Sequence, residues 1–179
     1  MSAITPLSRH YGLLAGVFVA VFVLGASAGV AQQIPPLGTF NDWGAFRLTS
    51  GSVPICYIGS LPNRSVGAVG QRAITYVQVT HRPAAKAFDV VSVTAGYTYQ
   101  PGSQVEVDID GKDFSMFTKG GYAWTKDNAR DVELVAAMRR GRQMTVRGTS
   151  ARGTLTTDTY SLAGFTAARN AIDLACPGK

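Results

Sequence analysis

The sequence predicts a mainly β domain, a jelly-roll-like β-sandwich with two short helices, preceded by an N-terminal signal peptide. Three observations lead there. From Thr39 onward apolar and polar residues alternate with period two, broken at short intervals by turn residues. Only two later segments switch to helical spacing. Ahead of both lies a 12-residue apolar run, Leu13 to Leu24, short for a membrane span and the length of a signal h-region.

The leader is read as residues 1–31. Arg9 and His10 form a short polar n-region, and small-residue sites at Ala26-Ser27-Ala28 and Gly29-Val30-Ala31 put cleavage after Ala28 or Ala31. The competing reading is an uncleaved anchor over Gly12 to Ala31; cleavage leaves no stable transmembrane segment. No Cys near the site suggests a lipoprotein, and no Arg-Arg pair suggests the twin-arginine route. Residues 32–38 form a Pro-rich extended lead-in, and 39–179 a single domain. Of the 17 Lys and Arg only Arg9 precedes residue 40, so this domain carries 16 basic against 11 acidic side chains, or +5. A hydrophobic content of 46% with 16% charged residues excludes a disordered chain.

The first strand with a clear pattern is Val53 to Ile58, with Cys56 and Ile58 on one face and Ile55 and Tyr57 on the other. Asn63 to Gly70 reads as a loop. Ala73 to Thr80 alternates Ile74, Tyr76 and Gln78 against Thr75, Val77 and Val79, and Phe88 to Thr94 follows a loop holding Pro83. The sharpest local signal is a hairpin from Val105 to Phe117. Val105, Val107 and Ile109 face one way, Glu106 and Asp108 the other, and Asp110-Gly111 supplies the two positive-φ residues of a type I′ turn. Phe114 and Met116 continue the pattern on the return.

Asp127 to Arg140 then reads as a helix. Asp127 or Asn128 caps it, Val132, Leu134, Val135 and Met138 form its stripe, Arg139 and Arg140 sit at the negative end, and Gly141 stops it. Strands over Gln143–Thr149 and Thr154–Leu162 follow, then a helix from Phe165 to Ala175. On that helix Phe165, Ala168, Ile172 and Cys176 share a face.

Export gives the cysteines a meaning. Cys56 and Cys176 are the only pair, and an oxidising compartment joins them in a disulfide closing a loop of about 120 residues, worth about 4–5 kcal/mol in the chain-entropy model. A reactive thiol would need a partner His or a second nearby Cys, and neither is present.

The residue types of catalysis are sparse. His81 is the single histidine after the leader and is read as a turn residue at a strand end with a backbone partner. Glu106, Asp108 and Asp110 raise a calcium site or a paired-carboxylate hydrolase as alternatives, against a plainly solvated acidic face. No enzyme motif, metal site or cofactor site stands out, so the sequence is read as non-enzymatic. The basic residues suggest an interaction surface. Arg139, Arg140, Arg142, Arg147 and Arg152 fall within 14 positions, a set suited to an anionic envelope or host surface, although strand parity divides Arg142 from Arg147. Tyr97, Tyr99 and Trp124 are the aromatic candidates for the same surface. Nothing here suggests a nucleic-acid partner.

Taken together, several segments resemble the invasion-associated locus B family, an exported α-proteobacterial group named for a protein linked to host-cell entry. They are Phe40-Asn41-Asp42-Trp43, Cys56-Tyr57-Ile58, Val79-Thr80-His81-Arg82-Pro83, Val91 to Tyr97, the Ile109-Asp110-Gly111-Lys112 hairpin, Thr157 to Leu162 and Gly164-Phe165-Thr166-Ala167-Ala168. The resemblance covers nearly all of the chain after the leader. It implies a periplasmic or outer-envelope protein, with surface display and host contact as the alternative, and brings no catalytic residue to carry over. Many relatives place a Cys soon after the opening Trp and a further pair past the middle. Here those stretches read Trp43-Gly44-Ala45-Phe46-Arg47 and Phe117 to Trp124, which leaves Cys56 and Cys176 alone.

Overall fold

The computed structural model describes residues 36–50, 53–67 and 72–178; the leader and its cleavage sites lie outside them. The described chain is mainly β, with eleven strands and two α-helices. In chain order these are β1 (Pro36–Phe40), β2 (Trp43–Ser50), β3 (Val53–Ser60), β4 (Arg64–Val66), β5 (Tyr76–Arg82), β6 (Ala87–Thr94), β7 (Gln104–Ile109), β8 (Lys112–Lys119), β9 (Tyr122–Trp124), α1 (Asn128–Arg140), β10 (Gln143–Thr149), β11 (Leu155–Ser161) and α2 (Phe165–Ala175). A 3₁₀ turn, Pro83–Ala85, joins β5 to β6.

The strands form one antiparallel sheet in the order β1-β2-β3-β5-β6-β9-β8-β7-β10-β11-β4. The chain leaves β3, turns at Leu61–Asn63, and enters β4, which pairs with β11 at the far end of the order. Asn63 N–H donates to Thr159 O at 2.9 Å, and the Trp43 indole N–H donates to Ser161 O at 3.0 Å. These bonds draw the two ends of the sheet together around one interior, an arrangement compatible with the expected sandwich.

That interior follows from period-two alternation. Trp43, Ala45, Cys56, Ile58, Val77, Val79, Val91 and Val93 point inward from one half of the sheet, and Val105, Val107, Met116, Met144, Val146 and Tyr160 from the other. Helix α2 adds Phe165, Ala168 and Ile172, the face its spacing predicts, and Phe165 meets Trp43 edge-on at 4.9 Å. Helix α1 starts as expected, the Asp127 carboxylate accepting from Arg130 N–H. Its stripe differs: Val132 is 51% exposed, while Asp131 is buried. The Asp131 carboxylate accepts from the Val91 N–H (2.9 Å) and the Thr125 hydroxyl (2.7 Å), a role in β6 that no helical period reveals. Gly141 stops α1 with extended backbone rather than a left-handed residue. Glycine is needed there because a Cβ would meet Ile109 Cγ2 at 2.5 Å.

The Asp110-Gly111 turn has the positive φ values of a type I′ hairpin, 49° and 89°. Three elements depart from the sequence reading. Strand β1 begins at Pro36, because a two-residue turn at Asn41-Asp42 folds the lead-in onto β2. Strand β4 lies in the expected loop, and β9 was unmarked. Both are three residues long, too short to show a period.

Candidate functional site

Residues paired across an antiparallel sheet share a face, so the ladder register fixes what surrounds the core on its outer side. Opposite the buried set, one row crosses the strands as Gly44, Gly59, Gln78, Ser92, Trp124 and Phe117. Beside it run Tyr76, Thr94, Tyr122 and Lys119, and on β2 and β3 the pair Phe46 and Tyr57. The rings associate in two groups. Phe46 and Tyr57 stack at 5.1 Å and 19°; Trp124 stacks on Tyr122 at 5.5 Å and 22°, and leans on Phe117 at 5.9 Å. Offset stacking of this kind fixes ring orientation at low entropic cost.

Between the first ring pair and the Leu61–Asn63 turn the face sinks into an open groove of about 990 Å³. At Gly59 its floor is bare backbone, while opposite it the Phe46 ring lies over Gly44, where a Cβ would meet ring carbon Cε2 at 2.7 Å. Tyr76 and Gln78 lie along it, and Leu61 and Ile74, 63% and 73% exposed, form an apolar rim. Asp42 is the one charged residue of the lining. The Tyr57 phenol is pushed up from its ordinary range by burial and by the neighbouring Tyr76, so the floor stays neutral at physiological pH.

The interior holds two ion networks. Arg72 grips Asp158 through two hydrogen bonds (2.9 and 2.7 Å) and donates also to Ala95 O, with its guanidinium 5.2 Å from the Tyr97 ring centroid. His81 is not the turn residue expected. It is buried within β5, its Nε2 3.2 Å from Asp89 Oδ1 and its Nδ1 3.6 Å from Asp173 Oδ1. Arg169 of α2 holds both Asp89 (2.8 and 2.7 Å) and Asp173 (2.6 Å). Burial alone would raise the Asp89 carboxyl, but the hydrogen bonds from His81 and Arg169 outweigh it and hold it at about 2. Cys56 lies opposite His81 in register, and it is joined to Cys176 with Cα atoms 5.9 Å apart. Disulfide and ion cluster therefore pin α2 to the same part of the sheet.

The sequence-predicted arginines do not form one patch. Arg139 and Arg140 flank a shallow hollow with Ala136 and Thr166 at the end of α1, and Arg142 follows with its N–H bound to Asp110. Arg147 lies midway along β10, opposite Glu106. Arg152 sits in the turn beyond the far end of that strand, roughly 20 Å or more from Arg142 at 3.3 Å per residue. The carboxylates keep to the β7–β8 hairpin: Glu106 faces Arg147, Asp108 faces Asp113 across the ladder, and Asp110 caps the Arg142 N–H. None lines the groove. Among the described residues no three His, Cys, Asp or Glu side chains are grouped to hold a metal. Tyr99 is buried and the Tyr97 hydroxyl is tied down between Gly148 O at 3.2 Å and the Thr156 hydroxyl at 2.6 Å, so of the three aromatic candidates Trp124 alone belongs to the outer face.

Sequence reasoning missed the groove, whose signal was two glycines inside otherwise alternating strands. Among the described residues no helix is long and apolar enough to cross a membrane.

Comparison with known proteins gives one family and one fold. The family model described as "Invasion associated locus B (IalB) protein" matches residues 50–173. The solved structure described as invasion associated protein B from Bartonella henselae superposes with a TM-score of 0.55 at 18% identity, covering 79% of this chain and 98% of that one. At that identity the likeness establishes a shared fold. A search of curated protein sequences finds no match. With the family model spanning most of the β domain, the chain belongs to the invasion associated locus B family.

Proposed function

We propose that this chain is an exported, non-enzymatic binding module of the cell envelope, and that it binds through the outer face of β2, β3, β5, β6, β9 and β8. One observation carries the reading. Gly59 occupies a strand interior with no positive φ, and a Cβ there would meet only Val77 O at an ordinary 3.5 Å. Nothing in the fold requires glycine at that position, and glycine weakens a strand. Its use is the bare floor, where a ligand can approach backbone between aromatic walls. The apolar leader and the Cys56–Cys176 bridge support export to an oxidising compartment. The hairpin carboxylates, Asp108 opposite Asp113 among them, lie outside the groove, which speaks against paired-carboxylate chemistry there.

Two measurements test this. Protease added to intact and to osmotically opened cells, with a tag after Lys179, reads the compartment. Protection until the outer membrane is breached is expected, whereas digestion on intact cells would put surface display and host contact first. Retention of the purified protein on isolated envelopes reads the binding. Gly59→Val, which fills the floor, should abolish retention while leaving the thermal transition intact; equal retention of the variant would overturn the assignment.

A further inference from the structure

We infer that the occupant of this face is a linear, uncharged chain of β-linked acetamido hexoses, laid across the strands from the Phe46–Tyr57 pair to the Trp124–Tyr122 pair; this rests on the binding reading above. Four features point to a neutral, extended sugar chain, and the acetamido class is the form put to the test.

The first is charge. From Gly44 through Phe117 the crossing row carries no ionised side chain, and the groove has only Asp42 at its edge. Lys119, opposite Tyr122, is the single cation of the neighbouring row, while Glu106, Asp108, Arg147 and Arg64 lie further off on β7, β10 and β4. A nucleic acid or an acidic polymer needs cations along its path, so the face complements a neutral ligand.

The second is the alternation of rings with small polar groups. Between the two aromatic groups lie Gln78 and Ser92, with Asn41 and Asn63 at the groove. Aromatic faces are electron-rich and attract the polarised C–H face of a pyranose. Side-chain amides and hydroxyls then meet its hydroxyl and acetamido groups.

The third is reach. Four strand spacings separate β2, which carries Phe46, from β9, which carries Trp124, roughly 19 Å at about 4.8 Å each, so the ligand is a chain rather than a single ring.

The fourth is the backbone. Strands β3, β5, β6 and β9 are interior, their ladders filled on both sides. A peptide laid here would find no main-chain partners, because strand addition requires an edge. An acyl chain would lie with one side in water on an open face, where lipid and drug-like ligands seek enclosure.

The test is a titration of the oxidised, folded protein with chitohexaose, following tryptophan emission and its quenching by acrylamide. Trp43 is fully buried, so Trp124 is the accessible reporter. Expected are a saturable change in emission, protection from quencher, and tighter binding of the hexamer than of the dimer. Maltohexaose, with its curved α-linked chain, should bind at least about tenfold more weakly. Loss of one stacking ring in Trp124→Ala should weaken binding about tenfold, read by calorimetry because the reporter is gone. Gly59→Val should also abolish it and needs no ring to be removed, and Arg152→Ala, off the face, should bind as wild type.

Failure separates cleanly. If chitohexaose does not bind but envelope retention still depends on Gly59, the ligand class is wrong and the binding face stands. Gly59-dependent binding to phosphatidylglycerol vesicles would likewise overturn the sugar in favour of a lipid. If neither chitohexaose nor envelopes discriminate Gly59→Val from wild type, both readings fall.

Discussion

Asp89→Asn probes the interior beneath the aromatic outer face. Asp89 sits at φ +59°, a left-handed conformation that Asn adopts as readily as Asp, so the substitution removes charge without adding backbone strain. Its carboxylate takes two N–H bonds from Arg169 and faces His81 Nε2, and these partners overcome burial to hold it at about 2 against an ordinary 3.8. The folded value is the lower one. The stabilisation is therefore present above the unfolded value near 4 and is lost as pH falls through about 2. Nearly two pH units at 1.36 kcal/mol each amount to about 2.5 kcal/mol at pH 7. The side chain is only 14% exposed, so solvent screening removes little of it. Urea unfolding of wild type and Asp89→Asn in parallel, at several pH values from 7 to 2, isolates the term, because the other carboxylates titrate in both proteins. The wild type should be more stable by about 2–3 kcal/mol at pH 7, the gap closing below pH 4 and nearly gone at pH 2. A gap that is absent at pH 7, or that persists unchanged at pH 2, would refute the assignment.

Three further outcomes follow from the packing. Replacing Cys56 and Cys176 by Ser opens a loop with sequence separation 120, for which the chain-entropy model gives a loss of about 5 kcal/mol; a change in unfolding free energy below about 1 kcal/mol would contradict the tethering of α2. Gly164→Ala places a Cβ 1.8 Å from Phe40 O at φ +90° and should cost more than about 3 kcal/mol. Gly153→Ala, also at positive φ but with nothing within 4 Å, should cost only about 1 kcal/mol. Equal melting temperatures for those two variants would show that close approach to β1 is not what Gly164 serves. Gly59→Ala should raise stability by about 0.5–1 kcal/mol, and a fall in its melting temperature would mean that the fold, not a ligand, requires the glycine.

What could be read from sequence was what depends on neighbours along the chain. The β7–β8 hairpin declared itself by alternation and by Asp110-Gly111, α1 by the Asp127 cap, and α2 by a stripe that turns Cys176 inward. The disulfide followed from arithmetic, since two cysteines allow one pairing. What could not be read depends on partners far away. Asp131 is buried because β6 offers it the Val91 N–H, 40 positions earlier, and so Val132 turns out to water in its place. His81 looked like a turn residue because its partners come from other elements, Asp89 from β6 and Asp173 from α2 once that helix docks. The arginines were close in number but separated in space, because an extended strand carries Arg142 and Arg152 apart as fast as a chain can. The groove is the extreme case. Gly44 and Gly59 come together only once β2 and β3 are paired in register, and the row reaches Trp124 only through the β3–β5 and β6–β9 pairings, which join strands that are not consecutive in the chain.

Hydroxyl-radical footprinting of the protein bound to isolated envelopes tests the central claim most directly, because it compares the candidate surfaces in one experiment. The aromatic face predicts that labelling of Tyr57, Tyr76, Tyr122 and Trp124 falls on binding, while peptides carrying Arg139, Arg140 and Arg142 label as in the free protein. Unchanged labelling of those aromatic residues, with protection confined to the end of α1, would contradict it and move recognition to the arginines.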